Sequence, residues 1–165
     1  MIQAAERREE AVDAVSAYCR EEGIPVDRNL DPNETCLVGP EVSELFTTLG
    51  QVEAKRTTVN PDMAGLLAHL LGESGVSAGD TVAVGASGSC PALMIAAVTA
   101  VEALGAVPRS ILSLGASSFG ATRPDLHLLD IHGLLEDRGL VAGPPAAVSL
   151  GGGDDIGSEF DVGSW

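Results

Sequence analysis

Lysine is almost missing from this chain: of nine basic residues only Lys55 is a lysine, against 24 acidic residues. The resulting net charge of −15 excludes nucleic acid and anionic membranes as partners of the surface as a whole. Aromatic residues make up only 3% of the 165, so the core must come from the Ala, Val, Leu and Ile that dominate the 45% hydrophobic fraction. An acidic chain this poor in lysine and aromatics matches a salt-adapted proteome. Cys19, Cys36 and Cys90 are odd in number, widely spaced and free of any C-x-x-C, so neither a disulfide framework nor a zinc site is expected. No apolar run approaches the ~18 residues of a membrane span. Met1 to Glu10 is too charged for a signal peptide. As given, the chain reads as a soluble domain, long enough for a real core.

What is present is a regular alternation of elements. Glu6 to Glu22 carries a modest apolar stripe and ends at Gly23-Ile24-Pro25, predicting a helix. Pro25 to Pro40 is rich in turn residues and reads as a wrapping loop. Thr47-Thr48-Leu49-Gly50 and Arg56-Thr57-Thr58-Val59 favour extended structure. Asn60-Pro61-Asp62 opens a helix that carries Met63, Leu66, Leu67, Leu70 and Leu71 and stops at Gly75. A strand over Thr81–Val84 and a helix over Pro91–Leu104 follow. Next come a strand over Arg109–Leu114, a helix within Leu126–Asp137 and a strand over Ala146–Leu150. Residues 1–58 thus form an N-terminal helix and wrapping segment, 59–157 an α/β core, and 158–165 a tail.

Connections of about two dozen residues require parallel neighbours joined by right-handed crossovers. The expected fold is α/β: a three-layer, Rossmann-like parallel sheet with helices on both faces and an N-terminal helix. All three strands end in Gly with Ser or Asp, and in a parallel sheet those ends share one edge, where ligands of open α/β sheets bind. Val82-Ala83-Val84, the small residues Gly85 to Cys90 and Pro91 form a strand, a turn and a helix start that favours an anion. No helix follows the last glycine run, so continuation into a longer protein, or a partner subunit, is expected to cover that face.

Several motifs carry a family likeness. They are Asp31-Pro32-Asn33, Gly39-Pro40-Glu41, Thr47-Thr48-Leu49-Gly50, Glu53-Ala54-Lys55-Arg56-Thr57-Thr58 with Asn60-Pro61, and Val84-Gly85-Ala86-Ser87-Gly88-Ser89 with Pro91-Ala92. Ser113-Leu114-Gly115-Ala116-Ser117-Ser118-Phe119-Gly120-Ala121 and Ala147-Val148-Ser149-Leu150-Gly151-Gly152-Gly153 complete the set. In this order, over about Asp27 to Gly157, the chain resembles the poly-γ-glutamate system protein family. That resemblance implies an accessory role in making or exporting the polymer, as in capsule biosynthesis, together with synthase and export subunits. It also implies membrane association through an anchoring helix and a further C-terminal portion, both of which are expected to lie outside the sequence as given.

The residues themselves leave several chemistries open. Ser87 partly matches a nucleophile turn, but Ser89 stands where a glycine is expected, and a base would have to come from His69, His127 or His132. The turn lacks both Gly-Lys-Ser/Thr and G-x-G-x-x-G. Asp154-Asp155 reads as a solvated loop sooner than a cation site, and no metal or cofactor is assigned. Lys55-Arg56 could grip the carboxylates of a γ-linked polymer. The candidate ligand residues are therefore Lys55, Arg56, Thr57, Thr58, Ser87, Gly88, Ser89, Ser117, Ser118, Gly151, Gly152, Gly153 and Asp154, with Ser87 as candidate nucleophile. The expected ligand is poly-γ-glutamate or a glutamyl intermediate. The alternatives are a serine-dependent enzyme acting on γ-glutamyl bonds and a non-catalytic scaffold, and a second copy of the chain is a further candidate partner.

Overall fold

The computed structural model describes residues 1–160; the last five residues of the expected tail lie outside them. Helix α1 runs from Ile2–Glu22 and buries Ala4, Ala11, Val12, Val15 and Cys19. Gly23 ends it in the left-handed conformation at φ 69°. Strand β1 (Phe46–Thr48), helix α2 (Val52–Thr58) and helix α3 (Asp62–Glu73) follow. The core then alternates β2 (Thr81–Ser87), α4 (Pro91–Ala103), β3 (Val107–Ser113), β4 (Ala116–Ser117), α5 (Leu128–Asp137) and β5 (Ala147–Ser149).

The molecule is α/β with two parallel sheets, β2-β3-β5 and the short pair β1-β4. The expected helices on both faces are not built, and the reason is topological. The strand order β2-β3-β5 never reverses, and right-handed crossovers without a reversal place consecutive helices on one face. Accordingly Val84 and Leu112 are buried in one core with α4 and α5 residues. On the other face Thr81, Ala83, Gly85, Val107, Arg109, Ile111 and Ala147 are exposed. Helix α4 is then enclosed between the sheet and a second layer of helices, α1 and α3, so it is apolar all round. Its Ala96 and Ala100 meet Ala4, Ala64 and Ala68, which lets helices approach closely without aromatic filling.

Two expectations are corrected. Arg56-Thr57-Thr58, expected extended, lie in helix α2: Glu53 sits in its first turn where the dipole favours an acid, and Glu-Ala-Lys-Arg outweighs the β-branched Thr57-Thr58. Those threonines bond back into the helix, Thr57 Oγ1 donating to Glu53 O and Thr58 Oγ1 to Lys55 O. Second, Cys19 and Cys36 form a disulfide and only Cys90 is free. The wrapping segment folds back along α1, held by Ser16 Oγ donating to Glu34 O. The buried Asp31 carboxylate accepts from Thr35 Oγ1 and from Cys36 N. Among the described residues no helix is long and apolar enough to cross a membrane.

The bridge spans 17 residues of chain. Cys36→Ser is therefore expected to lower unfolding free energy by about 3 kcal/mol through the freed unfolded chain. Urea denaturation with and without reductant checks this: reductant should destabilise the natural chain and leave the variant unchanged.

Candidate functional site

The parallel arrangement brings the carboxyl ends of the strands to one edge, where an open polar cleft of about 310 Å³ lies between Thr47, Thr48, Ser87, Ser89, Ser113, Gly115, Gly152 and Gly153. Its floor includes a cross-strand row of serines, Ser87 beside Ser113 and Ser113 beside Ser149. Side chains in register on parallel strands share a face, so the three hydroxyl residues follow from one placement. Glycine is required where backbones converge. A methyl at Gly115 would stand 2.8 Å from Thr47 Cγ2 and 3.1 Å from Gly152 N. One at Gly88 would stand 2.7 Å from Leu114 O.

Lys55 lies at the inner side of this edge, only 4% exposed. From α2 its Nζ donates to Ser89 O at 2.5 Å and to Ser117 Oγ at 2.7 Å, and Cys90 Sγ stands 3.7 Å away. Ser117 N in turn donates to Ser89 Oγ, and Ser89 N to Ser87 Oγ. The hydroxyls and the ammonium thus form one network joining α2, β4 and the turn after β2. Among the described residues no carboxylate lies within ion-pair distance of Lys55. A cation held at low exposure by neutral oxygens alone keeps much of its field for an incoming anion. The start of α4, with Cys90 as N-cap and Pro91 in its first turn, adds the positive end of a helix dipole. An apolar cavity of about 370 Å³, lined by Leu67, Leu93, Met94 and Ala97, shares Ser87 and Ser89 with the cleft.

The remaining sequence candidates divide. Arg56 is adjacent to Lys55, but successive helical residues point about 100° apart. Its Nε donates to Leu30 O at 2.9 Å and its Nη2 to Asn29 O, so it clasps the wrapping loop outside the cleft. Thr57 and Thr58 serve helix α2. Ser118 is fully buried, with an Oγ that has no hydrogen-bond partner. Gly152 and Gly153 wall the cleft, while Gly151 N donates to Asp155 Oδ1 at 2.9 Å. Gly153 N donates to the Glu159 carboxylate at 3.0 Å, and this bond with the Ser158 hydroxyl holds the Glu159 carboxyl below its usual range. Asp154, in a left-handed conformation at φ 52°, is exposed. No group of three His, Cys, Asp or Glu side chains able to hold a metal lies together among the described residues.

No histidine lines the cleft. His69 is exposed on α3, and His127 caps α5 by exchanging hydrogen bonds with Asp130. His132 is buried on α5. Thr47, Thr48, Ser113 and Gly115 were absent from the sequence candidates. The signal for Ser113 was its place at a strand end in the same period as Ser87, and for Gly115 its position directly after that strand.

Burial holds the His132 ring below its ordinary value of 6.5, against the opposing pull of Glu136 and Glu102. The folded chain therefore binds fewer protons than the unfolded chain just below that value, and stability is lost as pH falls from 6.5 toward the lowered folded value. His132→Leu should remove this component, so the difference in urea midpoint between variant and natural chain should be constant above about pH 7 and move in the variant's favour in acid. A difference that stays constant into acid would refute it. No protein-family model, no curated protein and no solved structure matches this chain.

Proposed function

We propose that the chain is an accessory component of poly-γ-glutamate production or export that holds the polymer, or a glutamyl intermediate, in the strand-end cleft. The observation that carries this reading is Lys55, a buried ammonium with no carboxylate partner among the described residues of a chain that has 24 acidic residues. A ligand carboxylate would supply the missing countercharge, with hydroxyls of Ser87, Ser89 and Ser113 completing its hydrogen bonds. The glycine corner supports the same ligand class, because it already receives a carboxylate of the chain, Glu159. The net charge of −15 repels a polyanion at long range, and molar salt, with a Debye length of about 3 Å, removes that barrier. The Cys19–Cys36 bond suits an oxidising environment, as on the export side of a membrane. In this reading membrane association comes from synthase or export subunits, and the third layer of a Rossmann-like arrangement is supplied across the uncovered sheet face.

A second reading is favoured by one distance. Ser117 Oγ lies 2.7 Å from Lys55 Nζ, which suits a serine activated by lysine, without histidine, for cleaving or transferring γ-glutamyl bonds.

Retention of poly-γ-glutamate on the immobilised protein in molar salt tests both. Lys55→Met is expected to weaken retention roughly tenfold by removing the buried positive charge behind the cleft. Ser113→Leu, which fills the cleft and leaves Lys55 in place, should weaken it as well, while Arg56→Ala should leave it unchanged. Undiminished retention in both cleft variants, with folding intact, overturns the binding reading. Shortening of the polymer that disappears in Ser117→Ala would replace it by the catalytic one.

A further inference from the structure

Among the described residues nothing covers one face of the β2-β3-β5 sheet, although parallel sheets are otherwise buried on both sides. Its middle is apolar, with Ala83 and Gly85 on β2, Val107 and Ile111 on β3 and Ala147 on β5, between Thr81 at one margin and the Ser87-Ser113-Ser149 row at the other. Val107 is 41% and Ile111 52% exposed. In its middle, on the central strand, stands Arg109.

Arg109 differs from the other basic residues. Arg7, Arg28 and Arg123 pair with carboxylates, and Arg138 donates to Ala14 O and approaches Glu21. Arg8, Arg20, Lys55 and Arg56 donate to carbonyl or hydroxyl oxygens. Among the described residues Arg109 alone makes neither an ion pair nor a side-chain hydrogen bond. An unpartnered guanidinium centred on an apolar sheet face calls for a carboxylate brought by whatever covers that face. A second copy of the chain does not bring one. A two-fold contact through the middle of this face sets Arg109 against Arg109, between molecules that each carry −15.

We propose that this face docks an amphipathic helix of a partner protein, whose apolar stripe lies over Ala83, Val107 and Ile111 and presents one carboxylate to Arg109. The helix takes the place that a reversal of strand order would otherwise have filled. The surface adjoins the strand-end cleft, because Ile111 and Ser113 lie two residues apart on the same face of β3, but the docked helix is argued from Arg109 and not from the ligand held there.

Two synthetic amphipathic helical peptides of about twenty residues, alike except for Glu or Lys at the centre of the apolar stripe, provide the probe. Methyl resonances of Ala83, Val107 and Ile111 are followed by NMR while each peptide is added to the full chain. The Glu peptide is expected to shift these methyls and to bind roughly tenfold more tightly than the Lys peptide. Arg109→Glu, a change at an exposed side chain without partners, should reverse that order and keep the fold. No methyl shift with either peptide, or equal affinity of the two, overturns the proposal. So does a concentration-dependent dimer that shifts the same methyls in the absence of peptide, which would make a second copy the occupant.

Discussion

The handedness of two crossovers governs most of this molecule. With β2, β3 and β5 laid down side by side in one direction, α4 and α5 share one face, and α1 and α3 must pack outside α4. The core therefore lies to one side of the sheet, with Ile95, Leu112, Leu128 and Ile131 near its centre. The same constraint sets all three strand ends on one edge and leaves the opposite sheet face to solvent. Cleft and bare face are thus two consequences of one topology.

Helix α2 depends on buried cations at both of its working positions. Lys55 reaches inward to the serine network, and Arg8 of α1, fully buried, donates from Nη2 to Thr58 O at 2.6 Å. Burial brings the Arg8 pKa down to about 10, which still leaves the group charged at neutral pH. Removing a cation from water is costly, and here carbonyl and hydroxyl oxygens offset it in part, without carboxylates, while Arg8 Nε is left without a partner. In so acidic a chain, that choice keeps positive potential beneath the cleft instead of neutralising it.

The wrapping segment explains how a chain poor in aromatics holds its ends together. The disulfide, the Ser16–Glu34 bond and the Arg56 clasp tie residues 29–36 to α1 and α2. Small side chains then suffice elsewhere: alanines in the helix contacts and glycines where the strand ends cross, with Gly39 and Gly120 in direct backbone approach.

Much was legible along the chain. The alternation β2-α4-β3-α5-β5, the parallel pairing and the convergence of Ser87, Ser89 and Gly152-Gly153 follow from local apolar runs, glycine punctuation and connection length, whereas α2 and the short β4 do not. These are short-range properties that neighbouring residues set among themselves. Residues 52–58 misled because their threonines favour strand while Glu53 to Arg56 favour helix, and only packing decides between near-equal propensities. The Cys19–Cys36 pair, the parting of Lys55 from Arg56 and the isolation of Arg109 were beyond reach. Each depends on which distant segment comes to lie beside a residue. The sequence by itself determined the core strands and helices and the edge where their ends meet. Only the tertiary structure decided which cation entered that edge and which sheet face stayed bare, because direction of winding and burial are properties of the assembled chain.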